Sequence, residues 1–410
     1  MTEARERRAV VVGGSLGGLF AANLLHRAGW DVRVYERAGE ELSGRGAGII
    51  THPELRDALT LAGVKVDATL GVEVDDRVTL DCDGAVIGEM RVPQILTAWG
   101  RLYHLLKEAF PQERYLFGRS LEHIEQGAGT ATACFAGGER AEGELVLGAD
   151  GIRSTMRAQF LPQARPQYAG YVAWRGLAEE AALSTETHRL LFARFGFCLP
   201  SGEQMLAYPV AGADDSTVPG HRRYNFVWYR PAGEGSELGD LLTDRTGRRH
   251  EMSVPPHLIR DEVIAAMRAD AERTLAPQFA EVVRLSEGPF FQPIFDLESA
   301  RLAFGRVVLL GDAAFVARPH CGMGVTKAAG DAVALMRALA SCGGDIDAAL
   351  LRYEQERLGF GVSMVAHARR LGACMKTEFS TPAEREAAAR CRTPESAMRE
   401  TAVPPEDLEA

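Results

Sequence analysis

The chain has 410 residues, 46% of them hydrophobic and 25% charged, with a formal net charge of −10 at pH 7. That is the make-up of a globular protein long enough for two or three domains. The acidic balance and scattered arginines give no reason to expect nucleic acid or an anionic membrane as a partner, and no apolar run approaches the roughly 20 residues of a membrane span.

Val10-Val11-Val12 reads as a buried parallel strand, Gly13 to Gly18 as a turn, and Leu16 to Ala28 as a helix carrying Leu16, Phe20 and Leu24 on one face. Gly29 stops that helix, and Asp31 to Glu36 is the next strand, which makes a βαβ opening and implies a parallel sheet. Leu145 to Gly151 and Val307 to Asp312 are further short strands ending in Gly and Asp. Between them, Val172 to Leu177, Leu190 to Leu199, Met205 to Val210 and Asn225 to Tyr229 are rich in aromatic and branched residues and predict an antiparallel sheet. Helical patterns cover Arg260 to Leu275 and the stripe Val325, Ala329, Ala332, Leu335, Leu339. Thr377 to Ala410 reads as a surface helix with a frayed tail.

The fold expected is α/β: a Rossmann-like cofactor-binding domain (residues 1–73, 97–166 and 297–372) interrupted by an antiparallel-sheet substrate domain (74–96 and 167–296), then a C-terminal helical tail (373–410). Seven cysteines, Cys82, Cys134, Cys198, Cys321, Cys342, Cys374 and Cys391, show no close pair and no metal-ligand spacing, so no metal is expected. They read as free thiols, and with no secretory signature near Met1 they point to a cytoplasmic protein.

Gly13-Gly14-Ser15-Leu16-Gly17-Gly18 is a variant of the dinucleotide fingerprint. Gly13 permits the tight turn and Gly18 the close packing of helix on strand. The helix N-terminus at Leu16 offers free N–H groups to a pyrophosphate, and the Ser15 hydroxyl is a further donor. Glu36, 23 residues beyond Gly13 and followed by Arg37, stands where a carboxylate accepts the adenosine ribose hydroxyls. Far along the chain, Asp312 ends the later strand, placed to bind ribityl hydroxyls, and Pro319, Gly322, Met323 and Gly324 open a helix whose N-terminus stabilises charge on a reduced flavin ring. Two loops almost three hundred residues apart thus grip the two halves of one long cofactor, FAD.

The N-terminal cluster, Gly148-Ala149-Asp150-Gly151-Ile152-Arg153-Ser154 and Gly311-Asp312-Ala313-Ala314 resemble, in order and spacing, the three motifs of the para-hydroxybenzoate hydroxylase family. The resemblance covers nearly all of residues 8 to 372. It implies an FAD-dependent enzyme that takes electrons from NADH or NADPH and inserts one oxygen of O₂ into an aromatic ring through a flavin C4a-hydroperoxide, as a homodimer. Tyr168 to Gly176, Leu242 to Gly247 and Arg318-Pro319-His320 are similar to a branch of the family that acts on hydroxylated pyridines such as 2,6-dihydroxypyridine. Another phenol or N-heteroaromatic, an FAD-dependent reductase, or a non-catalytic flavin protein of the same fold stay open.

By the same resemblance Asp150 serves both FAD and NAD(P)H, or with Arg153 only ties the strand end to the helix; Arg101 contacts FAD or is a solvated helix arginine; and Arg45-Gly46-Ala47-Gly48 is the mobile loop beside the isoalloxazine. Phe315 departs from the histidine of many relatives, and Ser15 from glycine. His320 is the first candidate to face the substrate and accept a phenolic proton, with helix capping as the alternative. Tyr208 is placed to hydrogen-bond a ring hydroxyl or to pack in the core, and His52 to approach the ring or to turn the chain before Pro53. Trp228 and Phe197 either line the pocket or pack in the core.

Overall fold

A computed structural model of the chain describes residues 7–42, 48–375 and 382–404. The strand Arg8–Val12 lies at the centre of a six-stranded sheet, between Leu145–Gly148 and Asp31–Tyr35, and parallel to both. Val307–Leu309 and Tyr115–Leu116 extend the parallel set on either side, and Ala303–Phe304 closes one edge antiparallel. Ala9 to Val12 and Leu145 to Leu147 are all buried, as strands covered on both faces must be.

The first helix, Leu16–Arg27, buries Leu16, Phe20 and Leu24 as their spacing predicts. It also buries Leu19, Ala21, Ala22, Asn23 and Leu25, because it lies between the sheet and the helices Trp99–Glu108 and Gly324–Ser341. A 26-residue helix, Ile346–Leu371, packs on the outside of Gly324–Ser341. Its Gly361 lets the ring of Phe315 come so close that a Cβ would overlap it.

The second sheet has eight strands, in the order Glu287–Asp296, Gln167–Glu179, Arg223–Pro231, Gln204–Val210, Arg194–Cys198, Val72–Leu80, Val86–Ala98, Gly48–Ile50. Every neighbouring pair is antiparallel except Arg194–Cys198 with Val72–Leu80. One face, with Trp174, Phe226, Trp228 and Met205, packs on the helices Asp261–Thr274 and Pro277–Leu285. The other carries Tyr171, Ala173, Val227, Tyr229, Leu206 and Tyr208. The fold is therefore α/β, with a parallel sheet and a mainly antiparallel one, as expected.

Two expectations change. The strand expected over Leu190 to Leu199 begins as a helix, Thr185–Leu191, capped by Ser184 through the amide of Thr187 at 3.2 Å, and only Arg194–Cys198 is extended. The apolar run Leu190-Leu191-Phe192 belongs to that helix end. The C-terminal segment is not a surface helix with a frayed tail among the described residues. It forms the helices Pro382–Cys391 and Pro394–Glu400, and Met398 and Ala402 are buried against the second sheet. Fully buried Arg77 explains why: its guanidinium donates to the carbonyls of Met398 and Thr401 and to Gln94 Oε1, while Gln94 Nε2 donates to the Ala402 carbonyl at 3.0 Å. No described helix is long and apolar enough to cross a membrane, and the described cysteines form no disulfide.

Candidate active site

A cavity of about 370 Å³ opens between the two sheets. Its volume lies within the ~300–1,000 Å³ range usual for ligand sites. Four stretches distant in sequence line one end: Ser15, Leu16 and Gly17; Ala149, Gly151 and Ile152; Gly311 and Asp312; and Pro319, Gly322 and Gly324. Phe195, Leu206, Tyr208, Val227, Tyr229 and Phe290, from the second sheet, line the other.

The first end is shaped for a dinucleotide. Gly13 has φ +102°, and a Cβ there would strike the Ala149 carbonyl; a Cβ on Gly18 would strike that of Gly13. Ser15 caps the first helix with its backbone alone, which leaves the hydroxyl and the first-turn amides to a ligand. Buried Glu36 accepts the Gly14 amide at 2.8 Å and the Ala38 amide at 2.9 Å, with lone pairs left over for hydroxyl donors. Arg37 beside it is exposed. These groups fit the phosphates and ribose of FAD.

Asp312 sits on the short turn Gly311–Ala313 with its side chain 55% exposed, 3.8 Å from the Lys327 ammonium. The turn is tied down by Arg157, which donates to the Ala313 carbonyl at 3.1 Å. Asp150 caps the helix Thr155–Phe160 through the amides of Thr155 and Met156 at 2.8 and 3.3 Å, and burial raises its pKa. Met323 is buried against Cys321, Met364 and Leu371 and does not line the cavity.

Gly48 follows the predicted mobile loop and pairs through Ala98 with the edge of the second sheet. Its amide donates to Asn225 Oδ1 at 3.1 Å, and a Cβ on it would overlap the Tyr208 ring. Arg45, Gly46 and Ala47 lie outside the described residues.

His320 lines the cavity but is 1% exposed, and both ring nitrogens have partners. Nδ1 lies 3.1 Å from Gln204 Oε1 and Nε2 2.8 Å from the Tyr171 hydroxyl. Because Gln204 presents its carbonyl oxygen, Nδ1 carries the proton and Nε2 accepts from Tyr171. Burial, helped by the nearby Arg318 charge, lowers the pKa of His320 to about 3. The imidazole is neutral and its lone pair is occupied. Tyr208 is also in the cavity wall, its hydroxyl pushed up to about 12 by burial against the opposing pull of Arg175.

His52 and Arg101 stand elsewhere. Buried His52 bonds Thr326 Oγ1 through Nδ1 at 3.0 Å, joining two helix starts behind the cavity. Arg101 pairs with Asp215 at 3.5 Å and Thr69 Oγ1 at 3.1 Å. Trp228 faces the opposite side of the sheet, its Nε1 on Glu203 at 2.8 Å, and Phe197 stacks behind Phe195, which takes the cavity position.

Sequence reasoning missed Tyr171, Arg175, Gln204, Tyr229, Thr401 and Ala402. Alternation along the predicted strands would place Tyr171 and Arg175 on one face, and likewise Val227 and Tyr229, once one of each pair is known to face the cavity. Nothing in the sequence signals Thr401 and Ala402.

Residues 294–368 match the "FAD binding domain" family and residues 168–296 the "FAD binding domain-like" family. The chain is 36% identical to 2,6-dihydroxypyridine 3-monooxygenase of Paenarthrobacter nicotinovorans over 334 residues, 79% of this chain and 81% of that protein. It is 28% identical to 6-hydroxynicotinate 3-monooxygenase of Pseudomonas fluorescens over 85% of this chain and 87% of that one. The solved structure of 2,6-dihydroxypyridine-3-hydroxylase from Arthrobacter nicotinovorans superposes with a TM-score of 0.85 at 31% identity, covering 93% and 96% of the two chains. The glycine-shaped dinucleotide cradle, the carboxylate at Asp312 and this likeness over most of both chains place the protein among the FAD-dependent aromatic monooxygenases of the para-hydroxybenzoate hydroxylase family.

Proposed function

We propose that the chain hydroxylates a hydroxylated pyridine, of which 2,6-dihydroxypyridine is the first candidate, with NADH or NADPH as electron donor and O₂ as oxidant. In the same reading it works in the cytoplasm as a homodimer. The observation that carries the reading is one continuous cavity with two chemistries. The fingerprint loop, Asp312 and the Pro319–Gly324 loop form a polar, glycine-walled end, and Phe195, Leu206, Tyr208, Val227, Tyr229 and Phe290 form a flat apolar end. The parallel-sheet part would carry the cofactor and the antiparallel-sheet part the ring.

FAD, when bound, supplies the electron transfer from pyridine nucleotide to O₂. Ser15, Glu36 and Asp312 would hold it, and the open helix N-terminus at Gly324 faces the same cavity. The protein's own task is then to position a flat ring and keep water away. Phe195, Leu206, Val227 and Phe290 on the second sheet would do the second, and the hydroxyls of Tyr208 and Tyr229 on the same wall would do the first.

The test is FAD reconstitution, followed by NADH and NADPH oxidation with and without 2,6-dihydroxypyridine, 6-hydroxynicotinate and simple phenols. Oxygen uptake and product mass are recorded together. The expected result is pyridine-stimulated oxygen consumption with a product heavier by one oxygen. Ring-independent oxidation without product, or no retention of FAD, would overturn the proposal.

A further inference from the structure

Among the described residues lining the cavity, the charged side chains are Asp312, at the cofactor end, and Arg175, in the second sheet. Arg175 is central in the strand Gln167–Glu179, opposite Val227 on one side and Phe290 on the other. Its neighbours on that face are mainly apolar or aromatic, with Gln292 and Asn225 the polar side chains among them.

Arg175 is half-buried, and the fully buried arginines among the described residues all have partners. Arg77 holds the carbonyls of Met398 and Thr401, Arg157 that of Ala313, Arg318 the carboxylate of Asp296 at 2.8 Å, and Arg357 that of Asp331 at 2.7 Å. Arg175 has no ion pair or hydrogen bond among the described residues, and its buried Nε has no acceptor. A cation in an apolar wall is costly unless an anion or an array of acceptors meets it. Its field nevertheless reaches the hydroxyls of Tyr208 and Tyr229 on the same face.

We propose that Arg175 is the anion anchor of the cavity, and that the ring substrate enters as its oxyanion, a phenolate or hydroxypyridine anion, having left its proton in bulk water. This rests on the aromatic-hydroxylase reading of the same site. His320 cannot take that proton directly, because Tyr171 occupies the lone pair of Nε2 and Nδ1 carries hydrogen toward Gln204. With no free base facing the ring among the described residues, a fixed cation selects the ionised form and lowers the pKa of the bound hydroxyl. A ring oxyanion is also the electron-rich form that electrophilic hydroxylation requires. The surrounding Phe195, Leu206, Val227 and Phe290 suit the flat ring of such an anion and not a hydrated pyrophosphate.

The test uses FAD-loaded protein and two probes, 2,6-dihydroxypyridine and 4-nitrophenol, whose anion has its own colour. Binding is followed by difference absorbance from pH 5 to 9 in the wild type, Arg175→Met and Arg175→Lys, with FAD content and melting temperature as controls. The wild type should bind nitrophenol as the anion at least one pH unit below its solution pKa. Arg175→Met should bind both probes at least tenfold more weakly and nitrophenol in its neutral form, and Arg175→Lys should recover part of the loss. Neutral nitrophenol bound to the wild type would overturn the proposal without any variant. So would unchanged ring affinity in Arg175→Met, or a variant that loses only affinity for NADH or NADPH. If wild-type protein with full FAD binds no ring at all, the hydroxylase reading fails first and the anchor with it.

Discussion

The Tyr171 hydroxyl donates to Nε2 of His320 across 2.8 Å, and this bond decides what the histidine can do. Burial keeps the Tyr171 proton in place by raising its pKa far above the ordinary value, while burial drives that of His320 down to about 3. A residue that sequence alone offers as a proton acceptor is thus held as a neutral strut between Tyr171 and Gln204.

That arrangement has a pH signature. His320, at about 3, and His52, at about 4, stay neutral in the folded protein, whereas in the unfolded chain each takes up a proton below its ordinary value of 6.5. The unfolded state therefore binds more protons as the pH falls, and stability present above about pH 6.5 is lost progressively below it. By pH 5 the loss should be about 2 kcal/mol for each histidine. Urea unfolding at pH 7 and pH 5 checks this, with His52→Gln and His320→Gln each flattening the dependence. A wild-type stability that does not change between the two pH values would contradict the assignment.

Asp312→Ala should weaken FAD at least tenfold, about 1.4 kcal/mol, with little change in the melting temperature of the apoprotein. The side chain is 55% exposed to the cavity, so the fold does not depend on it. Equilibrium dialysis against FAD is the measurement, and full occupancy with an unchanged flavin spectrum would count against this placement.

Gly48→Ala inserts a methyl group where the Tyr208 ring lies. Overpacking of this kind costs about 1–3 kcal/mol. The effect should largely vanish in a Tyr208→Ala background, because the ring that is struck is then gone. A double-mutant cycle on thermal stability and ring binding measures the coupling. Strictly additive effects would mean that Gly48 is constrained by something other than Tyr208.

Arg77→Met should destabilise the protein by about 3 kcal/mol or more, since the carbonyls of Met398 and Thr401 lose a charged donor in a buried site. It should also weaken ring binding, because Thr401 and Ala402 form part of the cavity wall. Arg91, 76% exposed and 3.8 Å from Asp75, is the control: Arg91→Met should change stability by less than about 0.5 kcal/mol. Equal effects at the two positions would refute the role given to Arg77.

The cofactor half was legible because its signals are local. Gly13 has a positive φ and Gly18 packs on the Gly13 carbonyl five residues back, and strand, turn and helix follow one another in the chain. The ring-binding half was only partly legible. Tyr208 and His320 were found, but Tyr171, Tyr229 and Arg175 depend on which face of a strand turns inward, and a shift of one residue would reverse that. The end of the helix Thr185–Leu191, at Leu190 and Leu191, was read as the start of a strand because a short apolar run is compatible with either.

The sequence by itself determined the parallel sheet, the dinucleotide turn and the family, since each rests on residue types at fixed short spacings. Tertiary structure alone decided that the C-terminal peptide, through Thr401 and Ala402, forms part of the cavity wall. Arg77 and Thr401 are more than three hundred residues apart, and only folding brings that guanidinium to those carbonyls. It also decided that His320 is a strut and that Arg175 is a cation with no partner among the described residues. Whether a polar group is a base, a support or an anchor depends on its partners and burial, and both are properties of the packed molecule.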